Sequence, residues 1–390
     1  MIIMTYLSQR IESFSSDTVF SEMNRLAVKH NAINLGHGFP DFAAPHFLKE
    51  AAVRAIQNDV NQYTSVWGNL KLRQSIAHRM LTHYGLSYNP ETDISITQGA
   101  TEAISAAISG LVNPGDEVIL FEPYYSTYLP AIKIAGGIPR FYTFYPPDWK
   151  IDEERLRSIF SEKTRLILVN TPHNPTGKVL TDQELSLLAG LCYQYDVLAI
   201  SDEVYENLTF DNRQHRPLSS YPDMYERTIT VSNLGKTFEV TGWKIGWTIA
   251  PPHLTQAVVK VRQYSTGSGS APLQEAASIA LDSSQQFYTN LLTRYQRNRD
   301  YLYEALARSG FKPILPEGTC FLMADFSNFE FEDDVEFCRY LTVEIGVTAI
   351  PASTLYHQLP ENVKLVRFAF CKKEETLLEA EKRFMRLKLT

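Results

Sequence analysis

Several features that mark other protein classes are scarce in this sequence of 390 residues. It has only four cysteines, far apart in apolar patterns, so we expect reduced core thiols rather than a disulfide framework or a zinc site. No apolar run approaches about 18 residues, which argues against a membrane partner. The 37 basic residues form no block and are outnumbered by 44 acidic ones, which argues against nucleic acid. The first residues do not show the pattern of a secretory signal, which is a charged leader followed by an apolar stretch. We therefore expect a soluble, cytoplasmic protein.

Motifs for metals and nicotinamide cofactors are also missing. His78 and His83 lie five residues apart, which is the wrong spacing for a shared metal ion, and no HExxH pattern occurs. The two glycines Gly36 and Gly38 lack the third glycine of a dinucleotide fingerprint. The sequence therefore predicts neither a metal nor a nicotinamide cofactor.

The middle of the chain alternates short apolar runs with helical patterns. Such runs indicate strands that are covered on both faces, and their alternation with helices predicts an α/β fold with a mainly parallel sheet. The predicted strands are 94–97, 118–121, 166–169, 197–200 and 229–231. Thr181 with Glu184 forms a capping box, and Asp152 and Asp333 also precede helical patterns.

The pattern changes near residue 285, where a long helical segment begins. We expect residues 41–284 to form a large domain and residues 285–390 a smaller α+β domain. Residues 1–40 are too few for a domain, and we expect them to pack on the smaller one.

Polar residues follow each predicted strand, and such strand ends meet at one edge of an open sheet. The turn at Gly99 and Ala100 opens a helix and suits a phosphate. Asp202 follows an apolar strand, where a carboxylate needs a cation. Lys236 lies in a turn beside Gly235, where a partly desolvated amine can attack a carbonyl. A phosphate, an aldehyde and a protonated ring nitrogen on one molecule describe pyridoxal phosphate (PLP).

Six segments carry a family resemblance, in the order 34–42, 174–179, 201–206, 235–238, 241–247 and 366–368. With them the sequence resembles the class I aminotransferases, which are fold-type I PLP-dependent enzymes. It is nearest in pattern to the branch of kynurenine, glutamine–phenylpyruvate and methionine aminotransferases. The resemblance implies the fold-type I architecture and a homodimer with active sites at the interface.

The resemblance also implies roles around the cofactor ring. Lys236 would bind the aldehyde covalently and then carry a proton, and Asp202 would pair with the pyridine nitrogen. Tyr205 and Asn174 would hydrogen-bond the phenolic oxygen. Tyr125 would stack on the ring, although a buried tyrosine with a satisfied hydroxyl explains that position equally well.

Other residues would hold the phosphate. They are the backbone of Gly99 and Ala100, the side chains of Asn233 and Lys244, and Tyr63 of the partner subunit. Asn233 stands where relatives usually have a serine, and its amide can still donate a hydrogen bond.

The substrate α-carboxylate would lie against Arg367, which can donate two parallel hydrogen bonds. Gly36 would allow the chain to approach this carboxylate closely, and Asn174 would also bind the substrate. The implied function is transfer of an amino group from an α-amino acid to a 2-oxo acid by a ping-pong mechanism. The expected donors are of the methionine, aromatic, glutamine or kynurenine type.

Two alternatives to this function remain, and a third reading of the lysine motif is excluded. A PLP-dependent cysteine-conjugate β-lyase would use the same residues, whereas a non-catalytic, ligand-sensing aminotransferase-like module would need a DNA-binding extension. A P-loop ending at Gly235, Lys236 and Thr237 is rejected, because its first glycine would fall at Thr230.

Overall fold

The computed structural model describes residues 7, 8, 10–12 and 14–387. Strands β1 to β8 are β1 (Ile33–Asn34), β2 (Ile94–Thr97), β3 (Glu117–Glu122), β4 (Ile138–Thr143), β5 (Thr164–Asn170), β6 (Leu198–Asp202), β7 (Thr228–Asn233) and β8 (Gly246–Ile249). The remaining strands are β9 (Lys312–Ile314), β10 (Phe321–Asp325), β11 (Val347–Thr348), β12 (Ile350–Pro351) and β13 (Leu365–Ala369).

Helices α1 to α7 are α1 (Val19–Lys29), α2 (His46–Gln57), α3 (Leu70–Tyr84), α4 (Gly99–Leu111), α5 (Tyr128–Ala135), α6 (Glu153–Arg157) and α7 (Asp182–Gln194). The later helices are α8 (Leu234–Thr237), α9 (Pro252–Ser265), α10 (Ala271–Leu281), α11 (Gln285–Arg308), α12 (Asp334–Tyr340) and α13 (Glu374–Phe384). Short 3₁₀ turns occupy Leu218–Ser220, Tyr225–Arg227, Thr241–Trp243 and Ala352–Leu355, and a π turn occupies Leu341–Ile345. Within the described residues, no helix combines the length and the apolar character that crossing a bilayer requires.

A seven-stranded sheet forms the centre of the molecule, in the order β2-β8-β7-β6-β5-β3-β4. Strand β8 pairs antiparallel with both its neighbours, and every other pairing in the sheet is parallel. The predicted mainly parallel α/β sheet is therefore confirmed, and all five predicted strands belong to it. The carboxyl ends of six strands meet at one edge.

Two strands of this sheet were not predicted. Strand β4 lies at the edge, contains Pro139 and has only one fully buried residue, so it lacks an apolar run. Strand β8 has only four residues and begins with a glycine. Both are strands because of their neighbours rather than because of their own pattern.

Both faces of the sheet are covered, as the apolar strands indicated. In β3, Val118 and Leu120 belong to one core cluster with residues of α4 and α9, while Ile119 and Phe121 belong to another with residues of α7. Alternate side chains of one strand point to opposite faces, so an uninterrupted apolar run serves two cores.

The predicted helix starts are present. Thr181 and Glu184 form the capping box at the start of α7. The Asp152 side chain accepts a hydrogen bond at the start of α6, and that of Asp333 does so at the start of α12. These short polar caps satisfy backbone N–H groups that the helices leave unpaired.

The chain after α11 forms a second, antiparallel sheet in the order β12-β13-β10-β9. The N-terminal segment lies against this part of the molecule, since β1 pairs with β11 and α1 contacts α12 and the π turn. Residues 1–6, 9 and 13 of the predicted N-terminal segment lie outside the described residues. This arrangement brings residues near positions 36 and 367 to the carboxyl edge of the central sheet.

Candidate active site

A cavity of about 410 Å³ lies at the carboxyl edge of the central sheet. Strand ends, the first turn of α4, the segment at residues 37–39 and β13 contribute to its walls. Ten of the twelve site residues predicted from sequence line it: Gly99, Ala100, Tyr125, Asn174, Asp202, Tyr205, Asn233, Lys236, Lys244 and Arg367. The fold thus collects side chains that lie more than 260 positions apart in the chain, from 99 to 367.

Asp202 is the last residue of β6, and it is only 3% exposed. Burial raises the pKa of its carboxyl group to about 6, although hydrogen bonds from Tyr128 and Val204 act in the opposite direction. A buried carboxylate in this state is stabilised by a nearby cation. The position therefore suits the protonated nitrogen of a heteroaromatic ring.

Two residues that support Asp202 were not predicted. The Tyr128 hydroxyl donates to Asp202 Oδ2 at 2.5 Å, and the Asn170 side-chain amide donates to the Asp202 carbonyl oxygen at 2.8 Å. Asn170 Oδ1 also accepts a hydrogen bond from the backbone N–H of Asn174 at 2.7 Å. Asn170 is the last residue of β5, and this position is the signal that could have identified it. Tyr128 begins α5, six positions after the end of β3, and carries no such signal.

Lys236 lies on the four-residue helix α8, directly after β7. Asn233 caps this helix, since its Oδ1 accepts a hydrogen bond from the Lys236 backbone N–H at 3.0 Å. The side-chain NH₂ of Asn233 is then the group that can donate to a ligand. The Lys236 ammonium donates to the carbonyl oxygen of Gly38 at 2.8 Å and lies 5.4 Å from the centre of the Tyr205 ring.

The start of α4 forms a cradle for an anion. Gly99 has a φ of +76°, and no side chain of Gln98 caps the helix. A Cβ atom on Gly99 would lie 3.4 Å from Lys244 Nζ, so the ammonium group stands beside this turn. Unpaired N–H groups at a helix N-terminus together with a lysine suit a phosphate, which is the role predicted for this turn.

Gly246 allows the cradle to form. A Cβ atom at this position would lie 2.6 Å from the backbone carbon of Gly99 and 2.7 Å from the nitrogen of Ala100. Only a residue without a side chain lets β8 approach the first turn of α4 this closely. The close approach holds the N–H groups of that turn in place.

Arg367 lies in β13 and is 3% exposed. Its two terminal nitrogens donate to Asn174 Oδ1 at 2.9 Å and to the Gly36 carbonyl oxygen at 3.0 Å. Gly36 therefore contributes through its backbone, as a holder of this arginine. Burial lowers the pKa of the Arg367 guanidinium to about 10.

No carboxylate in the described part of the chain lies within ion-pair distance of Arg367. Its Nε atom is buried and has no hydrogen-bond partner there. A buried cation without an anion is costly, and a ligand carboxylate would remove that cost. The arginine therefore has the properties of a carboxylate-binding residue.

Aromatic rings form much of the remaining wall. Tyr125 lies in the cavity, with its ring edge-on to Tyr128 at 5.5 Å, and Tyr205 is buried beside Phe321. Burial raises the pKa of the Tyr205 hydroxyl well above its usual value. The phenol therefore remains protonated and can donate a hydrogen bond.

Three further aromatic residues of the wall were not predicted: Phe20, Phe39 and Phe321. The Arg367 guanidinium lies 4.0 Å from the centre of the Phe321 ring and 5.6 Å from that of Phe20. Phe20 and Phe39 come from the N-terminal segment, and Phe321 is the first residue of β10. As apolar side chains without a polar group, they carry no signal in the sequence that marks a binding site.

Two predicted site residues do not line the cavity. Gly36 contacts it only through Arg367. The other is Tyr63. Its side chain is 96% exposed.

A larger and more open groove, of about 1110 Å³, runs between α3, α11 and the chain after Tyr205. None of the twelve predicted residues lines it. Two of its arginines, Arg213 and Arg297, pair with Glu317 and Glu374. Ten of the predicted residues line the smaller cavity instead.

Comparison with known proteins decides the family. Residues 30–384 match the family described as aminotransferase class I and II. The chain belongs to this family. The kynurenine–oxoglutarate transaminase of Dictyostelium discoideum is 39% identical to this aminotransferase over an alignment of 429 positions, which covers 99% of the chain and 98% of the relative. The methionine aminotransferase of Escherichia coli is 41% identical over 370 residues, covering 95% and 96%.

Solved structures agree with this assignment. A structure from Escherichia coli, described as having a methionine aminotransferase function, superposes on this aminotransferase with a TM-score of 0.94 at 39% identity, covering 98% of the chain and 100% of the other. N-succinyldiaminopimelate aminotransferase from Mycobacterium tuberculosis gives a TM-score of 0.94 at 41% identity, covering 97% and 99%. The predicted fold-type I architecture is confirmed.

Class I aminotransferases depend on PLP, and the residues of this cavity fit that cofactor. The uncapped start of α4 with Lys244 matches the phosphate, and the buried Asp202 matches the ring nitrogen. The primary amine of Lys236 matches the aldehyde. The aminotransferase is an enzyme that acts on small-molecule amino and 2-oxo acids.

Proposed function

We propose that this aminotransferase moves an amino group from a neutral α-amino acid to a 2-oxo acid in two successive half-reactions that share one cavity. The observation that carries the proposal is the buried, anion-free Arg367 in the cavity that also holds Lys236. Amino acid and 2-oxo acid have the α-carboxylate in common, so one arginine can bind both in turn. Alternate binding at one site is the basis of ping-pong kinetics.

The roles of the chain's own residues follow from their positions. PLP, when bound, supplies the aldehyde that takes the amino group and a ring that withdraws electrons from Cα. Lys236 Nζ would carry the proton at Cα. Asp202 would keep a proton on the ring nitrogen, while Tyr205 and Asn174 would donate hydrogen bonds to the ring oxygen. Arg367 would orient the substrate by its carboxylate.

The lining of the cavity supports donors with uncharged side chains. Its positively charged side chains in the described residues are Lys236, Lys244 and Arg367, and each already has a proposed partner. Burial lowers the pKa of His37, with Arg367 and Lys372 acting in the same direction, so this histidine is neutral near pH 7. A second carboxylate on the substrate would therefore meet no further cation.

The aromatic wall favours side chains that can pack against rings. The rings of Phe20, Phe39, Tyr125 and Phe321 all face the cavity. Methionine, aromatic amino acids, glutamine and kynurenine combine an uncharged side chain with such packing. The relatives named for methionine and kynurenine support the same substrate class.

A panel of amino donors with one common 2-oxo acid acceptor tests the substrate class. We expect methionine, phenylalanine, glutamine and kynurenine to react faster than aspartate and glutamate. A clear preference for aspartate would refute the proposed class. Omitting the acceptor and supplying a cysteine conjugate tests for β-lyase activity, because that reaction releases pyruvate and ammonia in equal amounts.

Replacement of Lys236 by alanine tests the central residue. The Lys236→Ala variant should retain PLP without covalent attachment, and its half-reaction with methionine should fall below detection in a stopped-flow absorbance experiment. Lys260→Ala, on α9 and away from the cavity, is the matched control and should react like the parent. A variant that converts methionine at the parental rate would assign the proton transfer to another group.

The proposal includes a homodimer in which Tyr63 of the partner subunit reaches the phosphate. The support within this chain is the exposure of Tyr63 and Tyr264, at 96% and 87%, since large aromatic side chains are seldom so exposed without a partner. A cytoplasmic location is also part of the proposal, supported by the low cysteine content, and cell fractionation tests it.

A further inference from the structure

Cys320 and Cys371 lie close together although they are 51 positions apart in the chain. Cys320 directly precedes β10, and Cys371 follows the end of β13, the antiparallel neighbour of β10. The N–H of Phe370 donates to the Cys320 carbonyl oxygen at 2.9 Å, so the two backbones are in direct contact here. Both residues are buried, and they line one small void together.

This pair lies directly behind the active-site lysine. A small enclosed void is lined by both cysteines and by Gly38, Gly235 and Lys236. The last three also line the active-site cavity. A small solute that enters the cavity is therefore separated from the thiols by the Lys236 side chain and the glycines beside it.

The surroundings of the pair are positively charged. Burial acts to raise the pKa of Cys320, but the hydrogen bond with Cys371 and the cations Lys236, Arg367 and Lys372 outweigh it and lower this pKa to about 7. The pKa of Cys371 is raised well above its usual value, first by the same hydrogen bond and then by burial. One thiol of the pair is thus the nucleophile, and the other retains its proton.

The remaining two cysteines are also buried but lie away from the lysine. Cys192 and Cys338 belong to separate core clusters, and neither lines the cavity or the void. Burial raises the pKa of Cys192 to about 12 and that of Cys338 well above its usual value. They provide internal controls.

We propose that Cys320 and Cys371 are an oxidation site at which peroxides form an intramolecular disulfide bond. The Cys320 sulfur attacks one oxygen of the peroxide, the O–O bond breaks, and Cys320 becomes a sulfenic acid while the other oxygen leaves as water or alcohol. The Cys371 sulfur then attacks the Cys320 sulfur, an S–S bond forms, the S–O bond breaks, and the hydroxyl leaves as water with the Cys371 proton. The two thiols together lose two electrons, and these electrons reduce one peroxide. The inference does not depend on the substrate proposed above.

The test uses the wild-type holoenzyme treated with hydrogen peroxide, blocked with an alkylating reagent and mapped by mass spectrometry without reduction. Trypsin alone leaves Cys320 and Cys338 on one peptide, residues 309–339, so a second protease must cut between them, for instance after Glu330. Cys371 lies on the tryptic peptide 368–372. Met385, which is 64% exposed, reports through its sulfoxide that peroxide has acted.

We expect loss of two of the four thiols, a cross-link between the peptides of Cys320 and Cys371, and its reversal by a thiol reductant. The Cys192→Ala/Cys338→Ala double variant should form the same cross-link. In Cys371→Ala, Cys320 should instead accumulate as sulfenic acid that a dimedone-type reagent captures. Oxidation of Met385 with all four thiols retained would overturn the proposal, as would a bridge that involves Cys192 or Cys338.

Discussion

The protonation state of Asp202 depends on its neighbours, because its carboxyl group is buried and burial raises its pKa to about 6. The Tyr128 hydroxyl stabilises the ionised form by donating to Oδ2 at 2.5 Å. A hydrogen bond to a charged group contributes about 1.5–3 kcal/mol, and one pKa unit corresponds to about 1.4 kcal/mol. The protonation of Asp202 is therefore set by its burial and, in the opposite direction, by the Tyr128 hydroxyl.

The Tyr128→Phe variant removes this donor and leaves the ring. Without the hydrogen bond the pKa of Asp202 rises, so the carboxylate is lost at a higher pH as the solution is acidified. We expect the acidic limb of the kcat/KM profile to move upward by about one pH unit. Tyr124→Phe, a buried tyrosine outside the cavity, should leave the limb in place. An unchanged limb in Tyr128→Phe would show that the hydroxyl does not control Asp202.

A substitution of Arg367 provides a second test of a single residue. Arg367→Lys keeps a positive charge but loses the planar pair of donors that holds Asn174 and Gly36 and that would hold a carboxylate. We expect KM to rise about tenfold or more for every amino acid and 2-oxo acid alike, as steady-state kinetics would measure. Arg297→Lys, on the surface, should change nothing. An increase confined to one substrate would contradict a role in binding the shared carboxylate.

Among the elements, the contact between β8 and the first turn of α4 decides the geometry of the phosphate cradle. Gly246→Ala would place a methyl group 2.6 Å from Gly99, and the strand and the turn would have to separate. We expect weaker retention of PLP, with an increase in its dissociation constant of about tenfold or more, measured by equilibrium dialysis.

A second glycine offers the control for this change. Gly190 lies in α7, and a Cβ atom added there would meet nothing within 4 Å. Gly190→Ala should leave PLP binding unchanged and raise the free energy of unfolding by about 0.5–1 kcal/mol. Equal PLP retention by both variants would exclude the proposed function of the close approach.

The division of the whole chain remains a proposal: residues 41–284 as the large domain, residues 285–390 as the smaller one, and residues 1–40 packed on the smaller. Its support is that α11 begins at Gln285, that β1 pairs with β11, and that α1 contacts α12. The active site would then need both domains, since Lys236 belongs to the first and Arg367 to the second.

The proposed dimer can be tested by mixing two inactive or impaired variants. A hybrid of a Lys236→Ala chain with a Tyr63→Ala chain contains one site with both native residues if Tyr63 acts in the partner's site. When equal amounts of the two variants are refolded together or exchange subunits, about half of the dimers are hybrids, each with one intact site of two. The whole mixture should therefore have about a quarter of the activity of the same amount of wild-type protein. Activity no higher than the mean of the two separate variants would place Tyr63 outside the neighbouring site.

Much of the fold was predictable because its signals are local. Apolar runs in β3, β5 and β6 reflect burial on two faces, and the caps of α6, α7 and α12 lie within three residues of the groups that they bind. Strand β4 could not be predicted, because an edge strand needs no apolar run. Ten of the predicted site residues line one cavity because strand ends of a parallel sheet converge.

The sequence by itself determined the α/β class, the order of the elements and the chemical groups that follow each strand, since these depend on neighbours along the chain. The tertiary structure alone decided which groups meet. The hydrogen bond from Arg367 to Gly36 joins residues 331 positions apart, and that from Tyr128 to Asp202 joins residues 74 apart. The Cys320–Cys371 pair lies just beyond the paired ends of β10 and β13. Such contacts follow from packing between distant segments, and no local pattern of residues specifies them.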